Sequence, residues 1–249
     1  MATMAITYLE LPPHVHVCTS DELCIWLDTK RDRYFATNAD AAALIGSTSA
    51  GAAAGIEGII EADAEDTARR MEQLDMERLL LSRQLIRATT ERPVPRTDSF
   101  APRPPRSLLY EAESTPAALR MKDITCVLYM WTAARIALRW KSLQRTLHRF
   151  ERSKAQQRTH PTTVVSEATL IGHVATYRMI RAYLFTSRDE CLIDSLALAR
   201  YLVAHRVYPT LVIGVIGRPF RAHCWVEYGD TVLNDDPAFT ARFTPIVTA

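Results

Sequence analysis

The chain has 249 residues, 48% of them apolar, which is enough to build a hydrophobic core in one large domain or two small ones. The net charge of +2 is unevenly divided, because residues 1–87 hold 8 Lys/Arg and 14 Asp/Glu, a net of −6, and the remainder carries +8. Two parts of opposite charge indicate two domains, and the acidic first part argues against nucleic acid as a partner.

The cysteines and the N-terminus favour a cytoplasmic protein. The five cysteines are odd in number and form no Cys-x-x-Cys pair, so we expect reduced thiols. The first residues lack the basic segment and apolar stretch of a signal peptide. The longest uncharged apolar run, residues 124–134, would span only about 16 Å as a helix, too short to cross a bilayer. We therefore expect no membrane partner.

The N-terminal part predicts a small domain over residues 1–87. Three short strands are expected over 15–18, 23–27 and 33–36, separated by polar turns. Asn38 can cap a helix that continues to Ile45, and apolar residues at helical spacing predict a longer helix over 61–87. This element order is winged-helix-like. Binding of DNA is the weaker interpretation, because acidic residues accompany the last helix.

Three residues near the first strand could ligate a metal. His14, His16 and Cys18 alternate, so a strand would place them on one face, where zinc could bind. Three ligands without a fourth are weak support for zinc. We therefore expect an ordinary half-buried edge strand and no metal.

Residues 88–106 contain five prolines with arginines between them and predict a stiff, extended linker. Beyond the linker, Ser114 or Thr115 could cap a helix that has Pro116 in its first turn. The apolar spacing then predicts helices over about 121–153, 166–186 and 191–205, followed by strands near 209–216, 222–228 and 231–234. Helices followed by antiparallel strands predict an α+β domain over 107–249.

The helical stretch 135–154 is rich in arginine and lysine. The favoured interpretation is a solvated face of an amphipathic helix. Docking of a partner protein, or contact with the acidic N-terminal part, remains an alternative.

Three residues, each in a different predicted element, suggest nucleophilic catalysis. Cys191 begins a helix, where unpaired backbone N–H groups lower the pKa of a thiol. His223 lies in a strand and could hold the thiolate as an ion pair before giving a proton to a leaving amine. Asp235 follows the next strand and could orient the imidazole. Asp236 is the less favoured acid, since it is nearer to the turn at Pro237.

A single helical cysteine is usually only a small apolar residue, but the ordered set of three favours a nucleophilic enzyme. The Cys191 backbone N–H could supply half of an oxyanion hole, and the sequence identifies no second donor. Cys224 is a poor competitor, because alternation along a strand turns it away from the face of His223.

The segments around these residues resemble a known family. Cys191-Leu-Ile-Asp-Ser-Leu-Ala-Leu, Pro219-Phe-Arg-Ala-His-Cys-Trp-Val-Glu and Val232-Leu-Asn-Asp are similar to the leader peptidases, or B proteins, of lasso peptide biosynthesis. The resemblance covers roughly residues 107–249. It implies a transglutaminase-like, papain-like fold with Cys191 as nucleophile, His223 as base and Asp235 as orienting acid. One departure is Cys224, where the family usually has alanine.

The N-terminal part resembles the peptide-binding domain called a RiPP recognition element, on the evidence of Trp26-Leu-Asp, a basic turn and Arg33-Tyr-Phe-Ala. The resemblance implies that a leader peptide adds a strand beside the third strand and rests on helix 61–87. The leader-binding residues expected from it are Arg33, Tyr34, Phe35, Met71, Leu74 and Arg78.

The resemblance implies a cysteine endopeptidase that removes the leader from a ribosomally made lasso peptide precursor. The freed core would pass to a macrolactam synthetase, resembling asparagine synthetases, that uses ATP. The cut itself would need no cofactor. Two alternatives remain: an acyltransferase, since transglutaminase-like folds also pass acyl groups to amines, and a non-catalytic peptide-binding scaffold.

Overall fold

The chain divides into two units, Met1–Ser99 and Phe100–Ala249, each with its own arrangement of helices and sheets. The structure is a computed structural model, and it describes residues 8–45, 64–91, 106–116, 119–158, 165–184 and 190–249. The sheets are mainly antiparallel and the helices pack against them, so the fold is of the mixed α+β kind.

The first unit is built on an antiparallel sheet of three strands in the order β2-β3-β4, while β1 pairs with β5 in a separate ribbon. Asp21 and Glu22 both have positive φ, as the two central residues of a tight hairpin turn between β2 and β3 require. Its elements are β1 (Tyr8–Glu10), β2 (Val15–Ser20), β3 (Leu23–Asp28), β4 (Arg33–Asn38), a 3₁₀ helix (Ala39–Leu44), α1 (Ala64–Ser82) and β5 (Arg87–Thr89).

Trp26 lies at the centre of the first core and is fully buried. Its indole N–H donates to the Thr37 hydroxyl at 2.9 Å, which satisfies the buried polar group. The basic turn after β3 is held by the buried Asp28, which accepts backbone N–H groups of Lys30 and Arg31 and pairs with the Arg31 guanidinium at 2.9 Å. The strand and turn that resemble a recognition element are therefore rigidly supported.

Three expectations for this unit need correction. The helix expected after Asn38 is a 3₁₀ helix, and the Asn38 side chain makes no capping bond. Helix α1 stops at Ser82 rather than 87, because Gln84 has positive φ and the Leu85 N–H bonds back to the Leu80 carbonyl. The linker expected from 88 begins later, since Arg87–Thr89 pairs with β1; residues 92–105 lie outside the described residues.

The second unit has a sheet of five strands in the order β10-β7-β8-β9-β6, in which every pair is antiparallel except β6 with β9. Its elements are β6 (Arg106–Ser107), α2 (Leu109–Ser114), α3 (Met121–Trp140), α4 (Leu143–Gln157), α5 (Glu167–Leu184), α6 (Cys191–Ala204), β7 (Thr210–Ile216), β8 (Arg221–Tyr228), β9 (Thr231–Val232), α7 (Pro237–Thr240) and β10 (Thr244–Thr248).

Helix α6 is the central element of the second core. Its residues 195–199 are fully buried, because one side packs against α3 and another against β8. The helix that begins with Cys191 is therefore fixed against the strand that carries His223.

The long helix expected over 121–153 is two helices. Lys141 and Ser142 have extended backbone conformations, with ψ of 151° and 153°, and they separate α3 from α4. The break allows Leu143, Leu147 and Phe150 of α4 to be buried. The expected cap at Ser114 or Thr115 is also wrong, because Ser114 ends α2 and α3 begins after Arg120.

Candidate active site

Helix α6 and the hairpin of β8 and β9 bring together the side chains of Cys191, His223 and Asp235. Cys191 is the first residue of α6, and His223 lies in β8. Gly229, with positive φ, turns the chain back so that the segment after β9 runs beside β8. The Leu233 N–H bonds to the Val226 carbonyl at 2.8 Å, which carries Asp235 back toward His223.

The carboxylate of Asp235 is bound to the His223 imidazole, with Oδ2 and Nε2 2.5 Å apart. The other carboxylate oxygen accepts the backbone N–H of Asp236 at 2.9 Å. The backbone carbonyl of Asp235 accepts the Ser107 hydroxyl at 2.8 Å. These contacts fix the carboxylate on both sides. Because Asp235 occupies Nε2, the other ring nitrogen of His223, Nδ1, is left for the thiol.

The Cys191 thiol forms a hydrogen bond with His223. Burial raises the pKa of Cys191, but His223 and the backbone N–H groups of Cys224 and Leu192 outweigh burial, so the pKa lies below its usual value. Burial lowers the pKa of His223, but Asp235 and Cys191 raise it to about 9. These opposite shifts favour a thiolate beside an imidazolium.

A buried network behind the three side chains was not found from the sequence. Ser195, one helical turn after Cys191, is fully buried and donates to the Cys224 carbonyl at 2.8 Å. Its hydroxyl accepts from the Asn234 amide at 2.9 Å, and the Asn234 carbonyl oxygen accepts the Val226 N–H at 2.9 Å. The only available signal was a serine within the apolar run Leu-Ile-Asp-Ser-Leu-Ala-Leu.

Three aromatic rings surround the His223 imidazole. Trp225 lies nearly parallel to it with ring centres 6.1 Å apart, and Phe239 and Phe243 lie at 5.1 Å and 5.2 Å. Gly214 pairs with His223 across the sheet, and a Cβ at that position would lie 2.6 Å from the Trp225 ring. The rings limit water on this side of the imidazole, which strengthens its hydrogen bonds.

The two competing residues from the sequence have other environments. Asp236 accepts the Ala238 N–H at 2.7 Å and caps α7, so it is Asp235 that reaches His223. Cys224 is buried, and burial raises the pKa of its thiol well above the usual value. The sequence also offers Ser187 and Asp189 as caps for the helix of Cys191, and both lie outside the described residues.

The six expected leader-binding residues lie on β4 and α1 of the first unit. Arg33 is exposed, while Tyr34 and Phe35 are half-buried, and Phe35 packs on the core with the Arg83 guanidinium 6.0 Å from its ring centre. On α1, Met71 is 61% exposed, Leu74 is half-buried and Arg78 pairs with Asp75 at 3.6 Å.

All five cysteines are free thiols. No group of three or more His, Cys, Asp or Glu within the described residues is arranged to hold a metal ion. No helix in that part of the chain combines the length and apolar character needed to cross a membrane.

Comparison with known proteins finds a matching domain in the second unit. Residues 128–248 match the transglutaminase-like superfamily. The chain is 35% identical over 82 residues to the microcin J25-processing protein McjB of Escherichia coli, a match that covers 33% of this chain and 39% of that protein. No solved structure matches significantly. The second unit therefore contains a transglutaminase-like domain, and a third of the chain is similar to a protein that processes microcin J25.

Proposed function

We propose that this chain is a cysteine endopeptidase that binds the precursor of a lasso peptide and removes its leader. The observation that carries the proposal is the hydrogen-bonded series from Cys191 through His223 to Asp235, in which the pKa of the thiol is lowered and that of the imidazole is raised. Similarity to the microcin J25-processing protein supports the substrate class.

The chemistry follows from the three groups. The Cys191 sulfur attacks the carbonyl carbon of the scissile peptide bond, and the Cys191 backbone N–H binds the developing oxyanion. His223 gives its Nδ1 proton to the leaving amine as the C–N bond breaks, which leaves a thioester. His223 then takes a proton from water, the hydroxide attacks the thioester, and the C–S bond breaks to give the carboxylic acid and to restore the Cys191 thiolate beside the imidazolium. Asp235 keeps the imidazole ring oriented throughout. The proposed cleavage itself needs no cofactor.

The first unit would bind the leader as an added strand beside β4. In the described three-stranded sheet, β4 has a strand partner on one side only, and Arg33, Tyr34 and Phe35 lie on it. Exposed residues of α1, including Met71 and Arg78, would contact the leader side chains. This proposal assigns winged-helix-like recognition to the first unit, cleavage to the second unit and a linker role to the residues between β5 and β6. Because recognition and cleavage lie on one chain, a bound precursor would be held at a raised effective concentration near the peptidase site.

The free amine of the released core would serve as the substrate of an ATP-dependent macrolactam synthetase resembling asparagine synthetases. We expect the protein to act in the cytoplasm, where the precursor would be made. The first unit carries net negative charge, which supports a peptide partner over nucleic acid.

An acyltransferase is the second candidate, because residues 128–248 match the transglutaminase-like superfamily and acyl transfer to an amine would pass through the same kind of thioester. An amine would then replace water in the second step. A non-catalytic scaffold is less well supported, since a vestigial site has no need of a thiol with a lowered pKa.

The test is incubation of the full chain with a lasso peptide precursor, with and without a primary amine, followed by mass spectrometry. We expect release of an unmodified leader, no product from Cys191→Ala, and normal cleavage by the control Cys224→Ala. An amine adduct on the leader would support acyl transfer. Binding without conversion by the wild type would reject both enzymatic functions.

A further inference from the structure

A cavity of about 230 Å³ lies between α3, α4 and α6 of the second unit. Arg200 of α6 lines it, nine residues after Cys191, which is about 14 Å along the helix and about two and a half turns around it. The cavity is therefore on the opposite side of α6 from the thiol. The proposed peptidase chemistry does not use it.

Two arginines, Arg149 and Arg200, line this cavity. Arg149 and Arg200 form no ion pair with a carboxylate in the part of the chain that the structure describes. Other arginines of the unit do so, as Arg178 does with Glu113 at 2.6 Å. Two unneutralised guanidinium groups at one cavity repel each other, and an anion between them would remove that repulsion.

The environment of Arg200 would favour a bound anion. Burial lowers the pKa of its guanidinium, Tyr129 acts in the opposite direction, and the charge of Arg149 lowers the pKa further. Arg200 is partly buried whereas Arg149 is exposed, so the cavity has a charged inner end and a charged rim. The hydroxyl-bearing residues Tyr129 and Ser153 also line it and could complete the binding of an anion.

Apart from the polar side chain of Gln157, the rest of the lining is apolar. Met130, Phe150 and Val203 contribute to the walls, and Phe150 is 1% exposed. A ligand that fills the cavity must therefore place carbon next to its negative charge. The volume lies below the roughly 300–1,000 Å³ of most small-molecule sites, so the cavity fits a group the size of one side chain rather than a cofactor.

We propose that this cavity binds a carboxylate carried on an apolar group, with Arg149 and Arg200 holding the two oxygens. A planar guanidinium matches the two oxygens of a carboxylate. A phosphate ion would fit less well, because its remaining charged oxygens would face Phe150 and Met130. The carboxylate can belong to a free small molecule or to a peptide, and this site does not depend on the proposed peptidase function.

The test is calorimetric titration of the full chain at constant ionic strength with benzoate, acetate, inorganic phosphate and the uncharged benzamide. We expect saturable binding of benzoate, weaker binding of acetate and phosphate, and none of benzamide. Arg149→Gln and Arg200→Gln should each weaken benzoate binding about 10-fold or more, as expected for loss of one charge-assisted hydrogen bond. A peptide that ends in phenylalanine tests whether the carboxylate can belong to a peptide. Its binding is compared with that of the same peptide amidated at the C-terminus.

The matched control is Arg145→Gln, which removes the same charge from the exposed face of α4 but does not line the cavity. It should change benzoate binding less than about 2-fold, since long-range charge is screened. Cys191→Ala should bind benzoate like the wild type, so this test stands apart from any result on cleavage. Melting temperatures check the folding of each variant, and if Arg200→Gln unfolds, the exposed Arg149→Gln decides.

Absence of saturable benzoate binding would overturn the proposal, as would an equal loss of affinity in Arg145→Gln. Tighter binding of phosphate than of benzoate would overturn the assignment to a carboxylate.

Discussion

The Ser195 hydroxyl lies 2.9 Å from the Asn234 amide nitrogen. This contact is part of a network that connects the three segments carrying Cys191, His223 and Asp235. Ser195 is one turn from Cys191, and Asn234 directly precedes Asp235. The same hydroxyl donates to the carbonyl of Cys224, the neighbour of His223. A single buried network thus holds the helix, the strand and the acidic segment in register.

Ser195→Ala should therefore affect both stability and the thiol. It leaves the Asn234 amide and the Cys224 carbonyl without their partner, and unsatisfied buried polar groups cost about 1–3 kcal/mol each. We expect a lower free energy of unfolding in urea and a higher pKa of Cys191, measured from the pH dependence of its alkylation by iodoacetamide. Ser114→Ala, at an exposed serine that bonds only within α2, is the control. An unchanged alkylation profile would show that the network does not position the thiol.

Asp235→Asn should lower kcat by about 10²–10⁴-fold, because the asparagine cannot stabilise the imidazolium or maintain the correct tautomer. Asp236→Asn should have little effect, since asparagine caps a helix about as well as aspartate and Asp236 serves α7. Steady-state cleavage of a precursor peptide measures both. The opposite ranking would move the orienting acid by one residue.

Alkylation of Cys191 and cleavage should both depend on pH in a way set by the ion pair. As pH falls through the lowered pKa of Cys191, the thiolate is protonated and both rates decline. As pH rises through about 9, His223 loses its proton and can no longer protonate the leaving amine, so cleavage declines while alkylation does not. Asp235→Asn should shift the alkaline limit downward, because Asp235 raises the pKa of His223. Cleavage that keeps rising above pH 9 would contradict the imidazolium.

The sequence predicted the helix and strands that carry the candidate site, but it did not predict the contacts that hold them in place. Cys191 at a helix start, His223 in a strand and Asp235 after a hairpin each follow from local pattern. The break at Lys141–Ser142 could not be foreseen, because the apolar spacing of α3 continues into α4. Short strands such as Arg87–Thr89 depend on partners distant in sequence. The Ser195 network was missed for the same reason, since its members become neighbours only when α6 packs on β8.

Leader binding should depend on the charge of Arg33, which is exposed on β4. Arg33→Glu should weaken binding of a labelled leader peptide several-fold without changing cleavage of a short leaderless substrate, because the second unit is unaltered. Lys30→Glu makes the same charge change in the preceding turn, off the strand, and should have a smaller effect. Fluorescence anisotropy and cleavage assays give the two readouts. Equal losses on both substrates would contradict the division of recognition and cleavage between the two units.

Gly214→Ala tests whether the aromatic wall positions the imidazole. The new methyl group would lie 2.6 Å from the buried Trp225 ring and 2.9 Å from Phe243 Cβ, so the rings beside His223 must move. Such overpacking costs about 1–3 kcal/mol, and we expect a lower melting temperature together with a lower kcat. Gly172→Ala, in helix α5 with no atom within 4 Å of the new methyl group, should instead stabilise the protein by about 0.5–1 kcal/mol. If Gly214→Ala melts and cleaves like the wild type, tight packing at this position does not position the His223 ring.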